Sequence, residues 1–197
     1  MRWDNLFDDL EGQLEQEFGA EETDLRAEEE RLRLGRLSLR DRLLALGTGD
    51  CDGVVRVTLT DGSTLDVRPR TFGRDWLSGD IVDQSPRCAQ FILPLHAIAG
   101  LLLTRAQIGD SLQEAAATDS GHGLSRRLGL AFVLRDLCRR RQAVELRLEG
   151  SSVTGTIDRV GQDHLDLAVH EAGTVRRESL VSHYRVVPFS RLFLVRV

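Results

Sequence analysis

The sequence predicts a mainly β protein with helices at its N-terminus and with one small module present twice. The first observation is internal repetition, since residues 61–77 (DGSTLDVRPRTFGRDWL) align without a gap to residues 149–165 (EGSSVTGTIDRVGQDHL). The second is that the tripeptide LRD precedes each copy and an apolar segment containing proline follows each copy. The third is the alternation of apolar and polar residues at 55–59, which is typical of a half-buried strand. Because repeated sequence forms repeated structure, we expect two copies of one fold.

An acidic helical leader is predicted at residues 1–37. Of the 31 acidic and 26 basic residues in the chain, 12 acidic and 4 basic ones lie in residues 1–34, so the rest of the chain is slightly basic. Apolar residues recur there at steps of three and four, which predicts an amphipathic helix over 2–18. These apolar residues are Trp3, Leu6, Phe7, Leu10, Leu14 and Phe18. A second helix, from Thr23 onward, has Glu-to-Arg spacings that favour ion pairs along its surface.

The body of the chain is predicted to contain two modules, at 38–104 and 125–197, joined by a linker at 105–124. Each module begins with a short helix, which Ser38 caps in the first copy and which covers 125–140 in the second. Asp61-Gly62 is a strong hairpin signal in the first copy. Five short strands follow each helix, near residues 55–59, 65–67, 76, 90–93 and 100–103 in the first module, and near 144–148, 153–160, 165–169, 184–187 and 192–197 in the second.

The pattern V-x-G-x-I-x-x-V-G-x-D-x-L-x-L at 153–167, behind a short helix, resembles the Sm-like small barrel. This resemblance implies that each module is a five-stranded barrel, so that the two barrels stand side by side with one strand order and with no sheet running through both. Gly155 is expected to let its strand bend, because a residue without a Cβ tolerates close approach of another strand. Its counterpart in the first copy is Val67, so that copy is expected to bend elsewhere. The whole chain also resembles an uncharacterised family of GC-rich bacteria with an acidic N-terminal helix and two such barrels, which implies no activity.

The sequence favours a non-enzymatic protein of the cytoplasm. The N-terminus lacks the basic and then apolar order of a signal peptide, and the longest apolar run, at 91–103, is too short to span a membrane. Three widely spaced cysteines argue against a disulfide framework. The five histidines form no metal-binding pattern, and no nucleophile elbow, Walker loop or dinucleotide fingerprint is present. We therefore expect no metal, no cofactor and no small-molecule substrate.

Two interaction sites are predicted, and they correspond to two functions. The apolar residues of the leader helix could dock on a protein partner or on a second copy, or they could pack on the chain's own modules. In the alternative function, arginines of the second module's helix bind the phosphates of RNA or DNA, although they could equally form a solvated helix face. These arginines are Arg126, Arg127, Arg139, Arg140 and Arg141. The resemblance weakens the nucleic-acid hypothesis, because Asp166 stands near the position where Sm-like proteins carry a base-binding Asn.

Overall fold

The computed structural model describes residues 22–48, 53–82, 89–113, 125–173 and 176–197. The chain divides into two compact units, Met1–Leu39 and Arg40–Val197. In the first unit, residues 22–36 form helix α1. Arg26 pairs with Glu22 at 2.6 Å and Arg33 pairs with Glu30 at 2.6 Å, so the Glu-to-Arg spacings in this stretch do form ion pairs. Exposed pairs of this kind each add little stability.

The remaining elements follow the predicted order of a helix and five strands, twice. The first group is α2 (Leu39–Thr48), β1 (Val55–Leu59), β2 (Thr64–Phe72), β3 (Trp76–Ile81), β4 (Gln90–Pro94) and β5 (Ile98–Leu102). A helix at the start of the predicted linker comes next, α3 (Arg105–Ser111). The second group is α4 (Leu130–Arg140), β6 (Ala143–Leu148), β7 (Ser151–Val160), β8 (His164–Val169), β9 (His183–Pro188) and β10 (Leu192–Arg196). We call the first group the first half and the second group the second half.

All ten strands of the described chain belong to one antiparallel sheet, in the order β5-β1-β2-β3-β4-β10-β6-β7-β8-β9. When the strands are numbered one to five within each half, both halves have the order 5-1-2-3-4, as the repeat predicts. The two sets are joined where β4 pairs with β10, with Ile92 opposite Val195 and Phe91 opposite Arg196. The backbone N–H of Val197 extends this pairing by donating to the carbonyl oxygen of Gln90 at 3.0 Å.

The prediction of two separate closed barrels is not confirmed, because the sheet is open and runs through both halves. To close the first half on itself, β4 would have to pair with β5, but β4 pairs with β10 instead. The fourth strand of the second half, β9, pairs with β8 and leaves its other side unpaired within the described residues. The sheet therefore has two edges, formed by β5 and β9.

Hydrogen bonds at matching positions confirm that the two halves are copies of one structure. In both halves the arginine of the LRD tripeptide donates to a glycine carbonyl in the turn between the second and third strands. The same glycine N–H donates across that turn. The matching pairs are Arg40 to Gly73 at 2.8 Å and Arg135 to Gly161 at 3.2 Å, then Gly73 to Trp76 at 2.8 Å and Gly161 to His164 at 2.8 Å.

Each half contains a strand glycine where two backbones come close. A Cβ atom added to Gly155 on β7 would lie under 3.0 Å from the carbonyl oxygen of Ala168 on β8. In the first half the equivalent pair of strands also has a close approach, but the glycine is Gly79 on β3, facing the carbonyl oxygen of Arg68 on β2. Both ladders contain a shift of register nearby, as bulges produce. The two shifts fall at aligned positions of the repeat, between Pro69 and Thr71 and between Ile157 and Arg159, so the expectation that the first copy bends at a different place stays a prediction.

Two hydrophobic cores lie along the sheet, and each takes side chains from both halves. The first core collects the buried residues of α2 and of β1–β4, together with Phe193 and Leu194 of β10. The second core collects Leu130, Leu134 and Leu137 on one face of α4 and the buried residues of β6–β10. Trp76 and Ile92 from the first half complete it. Among the described residues, no helix is both long and apolar enough to cross a membrane.

Candidate protein-interaction edges

The apolar residues predicted for the leader helix lie outside the described residues. These are Trp3, Leu6, Phe7, Leu10, Leu14 and Phe18. Their role as a contact for a partner therefore stays a prediction.

The predicted arginine set does not lie on one helix. Helix α4 begins at Leu130, not at residue 125, because Gly129 has an extended backbone and serves as its N-cap. Arg126 and Arg127 lie in the turn before the helix and are exposed. Burial, and then the charge of Arg126, lower the pKa of Arg40, which indicates that two like charges lie close together.

The arginines at the other end of α4 differ in their partners. Arg139 and Arg140 both pair with Asp136 one turn earlier, the latter through Nε at 2.7 Å. Arg141 is exposed and ends the helix in the left-handed region, with φ at 53°. All five arginines are thus exposed near the two ends of α4, and two of them, Arg139 and Arg140, share the one carboxylate of Asp136.

The junction between β4 and β10 is reinforced by contacts from the turns of the first half. The carboxylate of Asp75 accepts a hydrogen bond from the N–H of Leu130 at 2.8 Å, so it caps α4 from the other half of the sheet. The indole N–H of Trp76 donates to the carbonyl oxygen of Leu128 at 3.0 Å. This junction is thus a packed interface between two copies of one fold within one chain.

An ion pair extends the junction at the hairpin of the first half. Asp61 binds Arg147 of β6 at 2.8 Å, and the Asp61 side chain is 13% exposed. Burial raises the pKa of Asp61, but hydrogen bonds from Ser63 and the charge of Arg147 outweigh this and lower the pKa overall. The pair therefore favours the folded state at neutral pH, and this contribution is lost as pH falls and the carboxylate is protonated.

The edge strand β9 is the counterpart of β4, and it is uncovered. Aligning the two prolines, Pro94 and Pro188, places Ile92 and Val186 at equivalent positions. Ile92 is 5% exposed because β10 and α4 of the second half pack over it, whereas Val186 is 63% exposed. Tyr184 on the same strand is 52% exposed. The strand that is buried at the internal junction thus has a copy that presents apolar side chains to solvent.

The opposite edge strand, β5, is the counterpart of β10. The same alignment places Leu101 at the position of Val195 and Leu102 at the position of Arg196. Val195 is fully buried at the junction, whereas its equivalent Leu101 is half-buried, and Leu102 next to it is 55% exposed. Because an edge strand presents unpaired backbone groups, such apolar edges are places where another chain can add a strand.

A cleft of about 320 Å³ lies at the junction, on the side of α4. Its charged lining residues are Arg70, Asp80, Asp136 and Arg140. Arg70 pairs with Asp80 at 2.5 Å and Arg140 pairs with Asp136 at 2.7 Å. These side chains thus neutralise one another within the cleft, so they provide no net charge to attract an ionic ligand. In the part of the chain that the structure describes, no three His, Cys, Asp or Glu side chains gather as metal ligands.

Reasoning from the sequence missed the edge residues Leu102, Tyr184 and Val186. The repeat could have revealed them. Each half can cover only one edge of the other half, so the equivalent strands at the two outer edges of the sheet stay exposed. Comparison with protein-family models, with curated proteins and with solved structures finds no match to this chain.

Proposed function

We propose that this protein is a non-enzymatic scaffold that binds protein partners, or itself, through the edges of its sheet, with the acidic leader helix as a further contact. The observation that carries this proposal is the contrast between Ile92 and Val186. Equivalent residues of the two halves are 5% and 63% exposed, and the difference is that one of them has a neighbouring module. An exposed copy of a strand that is elsewhere part of an interface is a surface suited to protein association.

Within this proposal each half is an Sm-like module. A short helix followed by five strands, in the same order in both halves, supports this assignment. The close approach at Gly155 supports it as well, because a glycine at this position lets two strands of a small curved sheet come together.

Deletion of residues 1–34 is expected to abolish formation of the native complex. The reason is that the leader contributes a regular apolar face and a concentration of acidic charge, both of which suit docking on a partner. The measurement is affinity capture of the tagged chain at native expression, with and without the leader. Recovery of the same partners by the shortened chain would contradict a role of the leader.

Photocrosslinking separates the contribution of the edges from that of the leader. A photoreactive residue at Val186 or at Leu102 should crosslink to a bound protein, because both side chains are exposed on edge strands. The matched control is Arg159, whose side chain is 84% exposed on the internal strand β7. Equal crosslinking at all three positions would argue against edge binding.

A second candidate function is nucleic-acid binding by the arginines at the two ends of α4. The observation that favours it is that Arg126, Arg127 and Arg141 are exposed at the ends of α4, where guanidinium groups can donate to phosphate. Replacing Arg126, Arg127 and Arg141 with alanine is then expected to weaken binding of a single-stranded oligonucleotide. It should also lower the salt slope by about one for each of these arginines that binds a phosphate.

Fluorescence anisotropy at several salt concentrations measures both effects. The matched control replaces Arg139 and Arg140, whose charge Asp136 partly offsets, and it should change binding less. The absence of binding at low salt would remove this candidate.

A further inference from the structure

The protein that completes the free edges is, we propose, a second copy of this chain. Strand β9 of one copy pairs antiparallel with β5 of the next copy, in the register that β4 and β10 have inside each chain. This inference rests on the proposed function, because it names the partner of the same edges. It goes beyond that function by fixing the partner, the direction of assembly and the residues that face each other.

The internal junction is the template for this interface. Strand β4 of the first half meets β10 of the second half, and these are the fourth and fifth strands of their modules. The strands left at the two edges are the fifth strand of the first half and the fourth strand of the second half. The edge strand β5 therefore corresponds to β10, and the edge strand β9 corresponds to β4. Two chains placed end to end would repeat the junction between them.

The repeat alignment sets the register of the proposed pairing. Inside the chain Ile92 lies opposite Val195, and Phe91 lies opposite Arg196. The equivalent residues place Val186 opposite Leu101 and Arg185 opposite Leu102. The hydrogen bond from Val197 N–H to Gln90 O has its counterpart in one from Leu103 N–H to Tyr184 O.

Exposure and charge agree with this register. Val186 is 63% exposed in the single chain, and the pairing would cover it as the junction covers its equivalent Ile92. Leu102 is 55% exposed, and the pairing would cover it in part, since its equivalent Arg196 is 38% exposed at the junction. Arg185 would face an apolar residue, so the pairing brings no two like charges together. Pro188 ends β9 in the same way that Pro94 ends β4, so neither proline removes a backbone donor from the paired segment.

The proposed interface joins two different surfaces, so each copy keeps one free edge after pairing. A contact of this kind builds a closed ring if the rotation between copies closes, and a filament if it does not. The purified chain is therefore expected to sediment as a species larger than its 22.0 kDa monomer.

Two single substitutions block the two edges separately. Val186→Asp places a carboxylate on β9 at the position that would face Leu101 of the next copy. Leu102→Arg places a positive charge on β5 at the position that would face Arg185 of the next copy. Each variant alone should lose all species larger than the monomer in sedimentation velocity. Each still has one intact edge, so an equimolar mixture of the two should form a dimer and nothing larger.

A matched pair of substitutions tests the register. Leu102→Asp changes the same residue as Leu102→Arg but places a carboxylate opposite Arg185, so this variant should keep the assembly. Combining Leu102→Arg with Arg185→Asp should restore the assembly that Leu102→Arg alone loses. Because all three residues are exposed, circular dichroism should stay unchanged in every variant. Within the chain Val186 lies opposite Asp166 and Leu102 lies opposite Arg56, so Val186→Asp and Leu102→Arg should lower the unfolding midpoint slightly, and the double variant shows whether assembly itself is restored.

Three outcomes would overturn the inference. One is a purified chain that stays monomeric at every concentration. Another is an assembly that Val186→Asp abolishes and Leu102→Arg leaves intact, because this would show that two β9 edges pair with each other. The third is a failure of the double variant to restore assembly. If the purified chain is monomeric while crosslinks at Val186 still capture a different protein, the self-pairing is wrong and the proposed scaffold function stands.

Discussion

Replacement of Gly155 by alanine is expected to lower the free energy of unfolding by about 3 kcal/mol, which is at the upper end of the usual cost of overpacking. The added Cβ atom would lie under 3.0 Å from the carbonyl oxygen of Ala168, which is backbone and cannot move as a side chain would. To remove this steric clash, β7 and β8 would have to separate where residues 155 and 169 face each other. Urea denaturation of the purified variant measures this loss.

The matched control is Gly100→Ala in β5. Gly100 also lies within a strand of the same sheet, opposite Thr58, but a Cβ atom there would meet no atom within 4 Å. Its substitution is expected to change the free energy of unfolding by no more than about 0.5 kcal/mol. Equal effects at the two positions would mean that loss of glycine flexibility, and not the contact with Ala168, sets the cost at Gly155.

The repeat made the order of elements and the equivalence of the halves predictable from the sequence. Aligned residues occupy the same places because identical local patterns meet the same neighbours, as the hydrogen bonds from Arg40 and Arg135 to matching glycines show. The strands near residues 55–59 and 144–148 were predictable from alternation, since that pattern reports which face of a strand is buried.

The pairing of β4 with β10 was not predictable in the same way. The apolar run of β4 shows that Phe91 and Leu93 are suited to a core, but it does not show which strand lies beside them. The choice between closing each half and joining the two halves depends on contacts distant in sequence, such as the cap that Asp75 provides to Leu130. For this reason the prediction of two separate sheets failed although the strand order within each half was correct.

The candidate sites show the same limit. The charge of Arg139 and Arg140 was visible in the sequence, and so was Asp136 three and four residues earlier, but the composition of the helix does not show that the pairs form. Exposure of Val186 could not be read from its strand alone, because its counterpart Ile92 has the same apolar character and is buried. The difference between them is only whether a second module is present.

Replacement of Leu194 by alanine tests whether the two halves fold as one unit. Leu194 belongs to β10 of the second half, is fully buried and packs in the first core. Truncation is expected to lower the free energy of unfolding by about 3 to 4 kcal/mol, because apolar burial is reduced and a cavity remains. Leu192→Ala is the matched control, because Leu192 is equally buried on the same strand but packs in the second core.

Because β10 serves both cores and the sheet is continuous, both variants should shift one common unfolding transition. Trp76 fluorescence in a Trp3→Phe background reports the second core, and far-ultraviolet circular dichroism reports the whole sheet. Coincident midpoints by the two probes, lowered together in both variants, are the expected result. If Leu194→Ala instead produced an early transition in circular dichroism and left the Trp76 transition unchanged, the halves would be independent, and the junction at β4 and β10 would be a contact between two separate folding units.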